Sequence, residues 1–486
     1  VNLMDFQRID ELHDIGYNRT ISMMDSIKSR IHRRVNLDNI RLRRMVYRSN
    51  FPELRFKNII IDGANPQQQA YMKKEFHKSD NKEFTYEDLK QGYFRLLSDK
   101  MISEIIPHAI YNPEDDTYDL HLKVKLENNF AVRLGGNIST SNSNQIYLGL
   151  SYQDLNYYAK EFILDGQLGK VYNNVQFMAK IDFATAIPTS YRLIGSISTF
   201  DYFKKDKLFS RNNKPAFNQK DERFLKLQVG LPFLSSKRAE FGVGIARIED
   251  KYFQKSVIDF GNDKFDKSRY DLFGGSISFN GSTLNSKQYP TRGYREALVA
   301  QIFVGKERFY PGEGSTTSNN KDHHSWLQLS YMKEKYHNMS EHWVLGWYLK
   351  ALYASKNFSE NYTATMMQAG EFSPTLHSKL TYNEAFRANQ FVGAGIRPIY
   401  RLNQMFHLRG EFYGFMPIYP IEKNSLNKAY YGKAFSKFEY LGEISVVCQL
   451  PFGDISAYVN HYSSPKREWN VGLSIGWQLF NYRFIE

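Results

Sequence analysis

The chain has 486 residues, room for two or three domains, with a formal charge of +13 and 42% hydrophobic residues. Mean hydropathy is −0.53, and no run of eighteen apolar residues occurs, which excludes a conventional membrane-spanning helix. One cysteine, Cys448, excludes an intrachain disulfide and a cysteine-based metal cluster. The positive charge is expected at strand lumen positions and in loops such as Phe203-Lys204-Lys205-Asp206-Lys207, which argues against nucleic-acid binding.

Residues 5–34 have helical spacing, with Phe6, Ile9, Leu12 and Ile15, then Ile21, Met24, Ile27 and Ile31. No compact domain precedes this stripe to receive it, so it reads as the last helices of a domain whose body is missing. A basic linker follows to about residue 50, with Arg30, Arg33, Arg34, Arg41, Arg43, Arg44 and Arg48. Residues 54–126 predict a compact β-α-α-β-β unit. Its first strand, Phe56–Ile61, ends at Asp62-Gly63, and a helix follows from about Gln67 to His77. Thr85 is placed to N-cap a second helix, Tyr86–Leu97. Two strands, Ile105–Tyr111 and Tyr118–Leu126, close the unit across the turn-rich Asn112–Asp116.

From Phe130 to the end, apolar residues alternate with polar ones across short turns. Ile146, Leu148, Leu150 and Tyr152 face away from Gln145, Gly149, Ser151 and Gln153, and the pattern recurs without a helix-period segment between strands. Sixteen such strands are predicted over 130–486, the last at about Asn470–Phe480. So large an up-and-down sheet must close to avoid exposed edges. Low hydropathy, alternation and 15% aromatic residues, 34 Tyr and 36 Phe among them, describe an outer-membrane-type barrel with a polar lumen. A propeller should repeat every 40–50 residues or so, and no such repeat is visible. The expected fold class is therefore an all-β membrane protein: a 16-stranded antiparallel barrel preceded by the small β-α-α-β-β unit and the helical segment. An even strand number puts both barrel ends on the periplasmic side. Cys448, in Ile444-Ser445-Val446-Val447-Cys448, stands on the lipid-facing parity.

The unit at 54–126 resembles a POTRA domain, the periplasmic module of the BamA and two-partner-secretion superfamily, whose edge strands take an added strand from a client. Tyr289-Pro290-Thr291-Arg292-Gly293-Tyr294-Arg295 is similar to the Pro-x-x-Gly motif opening a mid-barrel strand there. Asp154-Leu155-Asn156-Tyr157-Tyr158 looks like the turn after its second strand, with Ala159 where Gly is common. The segment Val1–Phe6 through Ile15-Gly16-Tyr17, with the Arg-rich linker, resembles the end of a patatin-like phospholipase domain. The whole is thus similar to patatin-POTRA-barrel proteins (NTE family) with most of the patatin domain absent. The resemblance implies a parent that hydrolyses phospholipid acyl esters with a Ser/Asp dyad and no cofactor. The superfamily's lumen-inserted loop usually carries Val-Arg-Gly-Phe. The corresponding loop, roughly Lys356–Ala385, has Phe372-Ser373-Pro374-Thr375 and ends at Ala385-Phe386-Arg387-Ala388. Arg387 is the candidate latch, a cation for lumen carboxylates; an ordinary strand-start arginine is the alternative.

Two strings mimic the hydrolase motifs. Gly472-Leu473-Ser474-Ile475-Gly476 matches G-x-S-x-G but lies in the last strand, where no helix can build the nucleophile elbow. Asp62-Gly63-Ala64 ends a strand and precedes the serine string, the reverse of the patatin order. No catalytic dyad, cofactor or metal site is expected in this chain. His323-His324 is an adjacent loop pair whose side chains would diverge in a strand. Glu411, Glu443, Asp165 and Asp182 share lumen parity with Arg133, Lys180, Arg397 and Arg409, either lining a pore or pairing across a filled lumen. The expected role is a barrel that anchors, and translocates, a patatin-like phospholipase; a stand-alone assembly or secretion component and a passive porin are the alternatives. Expected partners are outer-membrane phospholipid and lipopolysaccharide and a polypeptide client at the POTRA edge, with a homodimer left open and no nucleic acid.

Overall fold

A computed structural model describes the chain except residues 1–8, 32–35, 50, 77–82, 142, 185–186, 203–217, 235, 255–263, 313–314, 316–317 and 465–468. The basic run Phe203–Lys207 and the first residues of the patatin-like segment therefore lie outside the described residues.

Sixteen strands close into one antiparallel barrel. In chain order they are Phe130–Ser139, Gln145–Leu155, Ala159–Gly169, Tyr172–Phe183, Thr189–Tyr202, Asn218–Phe233, Lys237–Tyr252 and Asp266–Ser282. The ninth to sixteenth are Gly293–Tyr310, Asn320–Asn338, Trp343–Ala354, Gln390–Arg401, Phe406–Pro417, Glu439–Leu450, Gly453–Tyr462 and Trp469–Gly476. Each pairs with its sequence neighbours, and the sixteenth returns to the first. The apolar parity faces outward: Ile146 is 71% exposed and Leu134 79%. The polar parity faces the lumen; sixteen strands alone leave room for an aqueous channel, and here inserted segments occupy it. No helix among the described residues is long and apolar enough to cross a membrane.

The N-terminal part forms a four-stranded sheet in the order Phe84–Thr85, Arg55–Asp62, Thr117–Leu126, Ile102–Asn112. Its chain order is β-α-β-α-β-β, the expected unit plus a two-residue edge strand between helices Pro66–Phe76 and Tyr86–Leu97. Thr85 caps the second helix as expected: its Oγ accepts from the Asp88 N–H at 3.3 Å, and its own N–H donates to the Asp88 carboxylate at 3.0 Å. Gly63, at φ +88°, makes the turn after Asp62, and a Cβ there would lie 2.1 Å from the Val124 carbonyl oxygen.

Three sequence expectations are corrected. The basic linker is largely a helix, Leu37–Ser49: it has no Gly or Pro, and the Asn36 side chain accepts from the Asp38 N–H at 2.9 Å to start it. The last strand stops at Gly476 (φ +115°) rather than Phe480, because the chain turns inward there. Basic residues also occupy outward positions of several strands, beyond lumen positions and loops, as in Arg223, Arg247 and Lys306.

Candidate functional site

Two segments enter the barrel from opposite ends. The first is the connection from Ala354 to Gln390, which carries a helix, Tyr362–Gln368, and a two-residue ladder pairing Gly370–Glu371 with Arg387–Ala388. Asn361 caps the helix by accepting from the Ala364 N–H at 2.9 Å, and its own amide donates to Tyr252 Oη at 2.7 Å on the seventh strand. Gln368 donates to Asp250 at 2.6 Å. Phe372 is buried among Phe391, Tyr413 and Phe415 of the twelfth and thirteenth strands. His377 stacks on Tyr458 with centroids 3.4 Å apart, and its Nδ1 lies 2.9 Å from Glu443. The connection thus touches walls on both sides of the lumen.

The second is the segment 477–486. Lumen-facing amides hold its backbone as a sheet neighbour would: Gln145 accepts from the Leu479 N–H at 3.0 Å and donates to its carbonyl at 2.9 Å. Gln301 likewise accepts from the Glu486 N–H at 3.0 Å and donates to the Phe484 carbonyl at 3.1 Å. Glu222 accepts from the Phe484 N–H at 2.7 Å. The Phe484 ring, 2% exposed, belongs to a buried cluster with Ile194, Phe224, Ala246 and Phe303. The two segments meet inside. Arg483 approaches Glu371 at 3.8 Å, and Lys379 sits over the Phe480 ring at 5.7 Å.

Arg387 is buried, and a carboxylate holds it at 3.0 Å, but that carboxylate is Glu371 of the same connection. Its Nη1 also donates to the carbonyls of Met366, Met367 and Ala369 at 3.3–3.4 Å. It therefore knits the inserted segment to itself rather than to a wall carboxylate. The wall grips with reversed polarity, through Arg397 and Arg409, which are 4% and 1% exposed. Arg397 pairs with Glu334 and donates to the Pro374 carbonyl at 3.2 Å; Arg409 pairs with Glu411 and donates to the Pro290 carbonyl at 2.8 Å. Tyr336 and Tyr413 complete the network, Tyr413 Oη donating to Glu411 at 2.5 Å. Pro290 lies in the Pro-x-x-Gly motif, which this arginine ties to the lumen.

The remaining lumen charges expected from the sequence also pair: Arg133 with Asp165 at 3.3 Å and Lys180 with Asp182 at 2.5 Å. His323 and His324 lie within the tenth strand, not in a loop. His323 faces out, while His324 is buried with Nε2 2.8 Å from Glu307. Ser474 faces inward and donates to Asn137 Oδ1 at 2.6 Å, across the junction of first and last strands. Asp62 ends a strand of the four-stranded N-terminal sheet, and Ser474 lies in the last barrel strand.

That junction is the second element of the site. Ser474–Ser139, Ile475–Ile138 and Gly476–Asn137 are its only register pairs among the described residues. Neighbouring seams run to eight positions for the fifteenth and sixteenth strands and seventeen for the ninth and tenth. Two glycines cause the shortness. Gly136 (φ +149°) and Gly476 (φ +115°) face each other so closely that a Cβ on Gly476 would lie 2.2 Å from the Gly136 carbonyl oxygen. Beyond them Trp477 donates to that carbonyl at 2.7 Å and the chain leaves. The edge of Phe130–Gly135 on that side has no strand partner among the described residues. Unpaired N–H and C=O groups on such an edge are a template for an incoming strand.

Among solved structures, the chain is similar to BamA from Haemophilus ducreyi lacking POTRA domains 1-3. The TM-score is 0.59 at 12% identity, over 87% of this chain and 84% of that one. The fold is that of a BamA-type barrel. CdiB from Acinetobacter baumannii gives 0.51 at 9% identity, over 87% and 74% of the two chains. No family model and no curated protein matches the sequence. The sequence did not reveal the amides that hold 477–486; Gln145 and Gln301 carry the polar parity, but nothing marks them apart from solvated lumen residues.

Proposed function

We propose that this chain is an outer-membrane assembly or secretion component that works on a polypeptide at the seam between its first and last strands. The observation that carries the reading is the unpaired edge Phe130–Gly135 beside a three-position seam. An extended client segment added there gains backbone hydrogen bonds that the closed barrel does not make. The two inserted segments weigh against a passive solute pore. The β-α-β-α-β-β unit is proposed to be a periplasmic POTRA domain, with its edge as a second pairing surface. A photo-crosslinking residue at Leu134, 79% exposed on the free edge, should trap an extended client segment. The same residue at Leu227, on the continuously paired sixth strand, should not. Equal yields at both positions would refute the seam as the working site.

A second reading, that the barrel anchors a patatin-like hydrolase, is favoured by the N-terminal helices Ile9–Ser22, Met24–Ser29 and Leu37–Ser49. Ile15, Ile21 and Ile27 on these helices are 51%, 50% and 37% exposed, apolar side chains that a covering body would bury. Intact mass and N-terminal sequence of the protein from native membranes test it: an upstream domain with G-x-S-x-G and phospholipid hydrolysis support it. A mature chain beginning near Val1 removes it.

A further inference from the structure

The sixth to tenth strands are the tall side of the barrel, 16 to 19 residues each, where about 9–11 suffice to cross a bilayer. Their outward side chains change character along the strand. On the sixth strand Leu225, Leu227, Val229, Leu231 and Phe233 face out. At ~3.3 Å per residue and a tilt near 40°, that run covers roughly 20–25 Å of height, the thickness of an outer-membrane apolar band. The strand register carries the top of this band across the wall as a row, Leu225, Ile245, Phe273 and Val304.

Beyond that row the outward residues are charged. The next row in register is Arg223, Arg247, Asp271 and Lys306. After it come Asp221, Glu249, Arg269, Arg308 and Lys321, then Gln219, Lys251, Lys267 and Tyr310. These three rows hold eight Lys or Arg against three carboxylates. Asp271 gathers three of the cations, with Arg247 at 2.7 Å, Arg269 at 3.6 Å and Arg308 at 3.8 Å. The other two carboxylates hold cations as well, Asp221 with Lys251 at 2.9 Å and Glu249 with Lys267 at 2.8 Å. Arg223 and Lys306, both exposed, have no carboxylate partner among the described residues. On the neighbouring fifth strand the same rows carry Ile197, Thr199 and Asp201, and one strand further Val175 stands in the Arg223 row, so the excess of cations does not extend past the sixth strand. The cationic rows are thus local, continuous with the apolar band, and at the end of the barrel opposite the one where its first strand begins and its last strand ends.

We propose that this outward lattice on strands six to ten binds the phosphorylated headgroup of lipopolysaccharide in the outer leaflet. Guanidinium groups match phosphate oxygens in geometry and charge, and the rows begin at the height where acyl chains end. The proposal rests on the outer-membrane placement given above.

The test uses the full chain, folded in detergent, with bisphosphorylated lipid A and its dephosphorylated form as probes, and native mass spectrometry as the readout. The wild-type protein should prefer the bisphosphorylated lipid at least tenfold, and an Arg247→Gln/Lys306→Gln/Arg308→Gln variant should lose that preference. Equal binding of the two lipids by the wild type would overturn the proposal. So would an unchanged preference in a triple variant whose heat-modifiable mobility shows a folded barrel. Should the triple variant not fold, Lys306→Glu alone should lower the preference at least threefold, and no change there overturns it. Orientation is read separately, by labelling Lys321→Cys, in a Cys448→Ser background, on intact cells with a membrane-impermeant maleimide. Failure to label, with the phosphate preference intact in vitro, overturns the placement and with it the outer-leaflet source of the lipid. Labelling with no phosphate preference overturns the lipid site alone.

Discussion

Replacing Phe484 with alanine should release the segment 477–486 from the lumen while leaving the barrel closed. The ring is 2% exposed and packs at a tilt against Phe224 and Phe303, with centroids 6.0 and 5.7 Å away. It also covers Gly244 and Gly274, where added Cβ atoms would lie 3.0 and 3.1 Å from it. Truncating a buried phenylalanine costs about 3–5 kcal/mol. That loss falls on docking of the segment, because the sixteen-strand ladder does not run through it. At ~1.4 kcal/mol per tenfold, docking weakens by roughly 100-fold or more. Hydrogen exchange reads this directly: the amides of Leu479, Phe484 and Glu486, each bonded to a wall side chain, should exchange correspondingly faster, and strand amides should not. If those three amides stay as protected in Phe484→Ala as in the wild type, the ring is not what holds the segment.

Other consequences follow from the same geometry. Arg409→Met leaves the Glu411 carboxylate buried with one cation fewer and strips the Pro290 carbonyl of its donor; a loss of about 3–5 kcal/mol is expected, read as a lower unfolding temperature on heat-modifiable gels. Gly476→Val forces a β-branched residue into positive φ and onto the Gly136 carbonyl, so the three seam pairs should fail and trypsin should reach the strand after Arg133. Asp99 lies outside the membrane span, and burial pushes its carboxyl up, against the lowering effect of hydrogen bonds from the Met101 N–H and Tyr71. The neutral form is therefore the better folded one: its contribution is fully present below about pH 4 and lost as pH rises through the raised value. Asp99→Asn should match the wild type below that pH and resist urea better at pH 7.

The barrel was legible because membrane strands alternate strictly: the outward parity must meet lipid, so all sixteen strands announced themselves. The same alternation misplaced the end of the last one. Trp477 and Leu479 keep the apolar parity, and only the paired glycines at 136 and 476 show why the ladder stops. Nothing local marks 477–486 as a lumen segment, because its partners, Gln145, Gln301 and Glu222, are far away in sequence. From the sequence, Arg387 reads either as a cation for lumen carboxylates or as an ordinary strand-start arginine. Its partner, Glu371, sixteen residues upstream, became visible only once the inserted segment was folded back on its own ladder. The cationic lattice was missed for a related reason: Arg223, Arg247, Lys306 and Arg308 are unremarkable along each strand, and only the register brings them side by side.

The most direct test of the central claim is a disulfide lock on the seam. Ile138→Cys and Ile475→Cys place two thiols at a register pair, in a Cys448→Ser background, so that oxidation staples the first strand to the last. The account predicts that the oxidised barrel stays folded in the membrane but fails to replace the wild type in cells depleted of it, and that reductant restores function. Full complementation by the oxidised protein would show that the seam need not open, and would contradict the account.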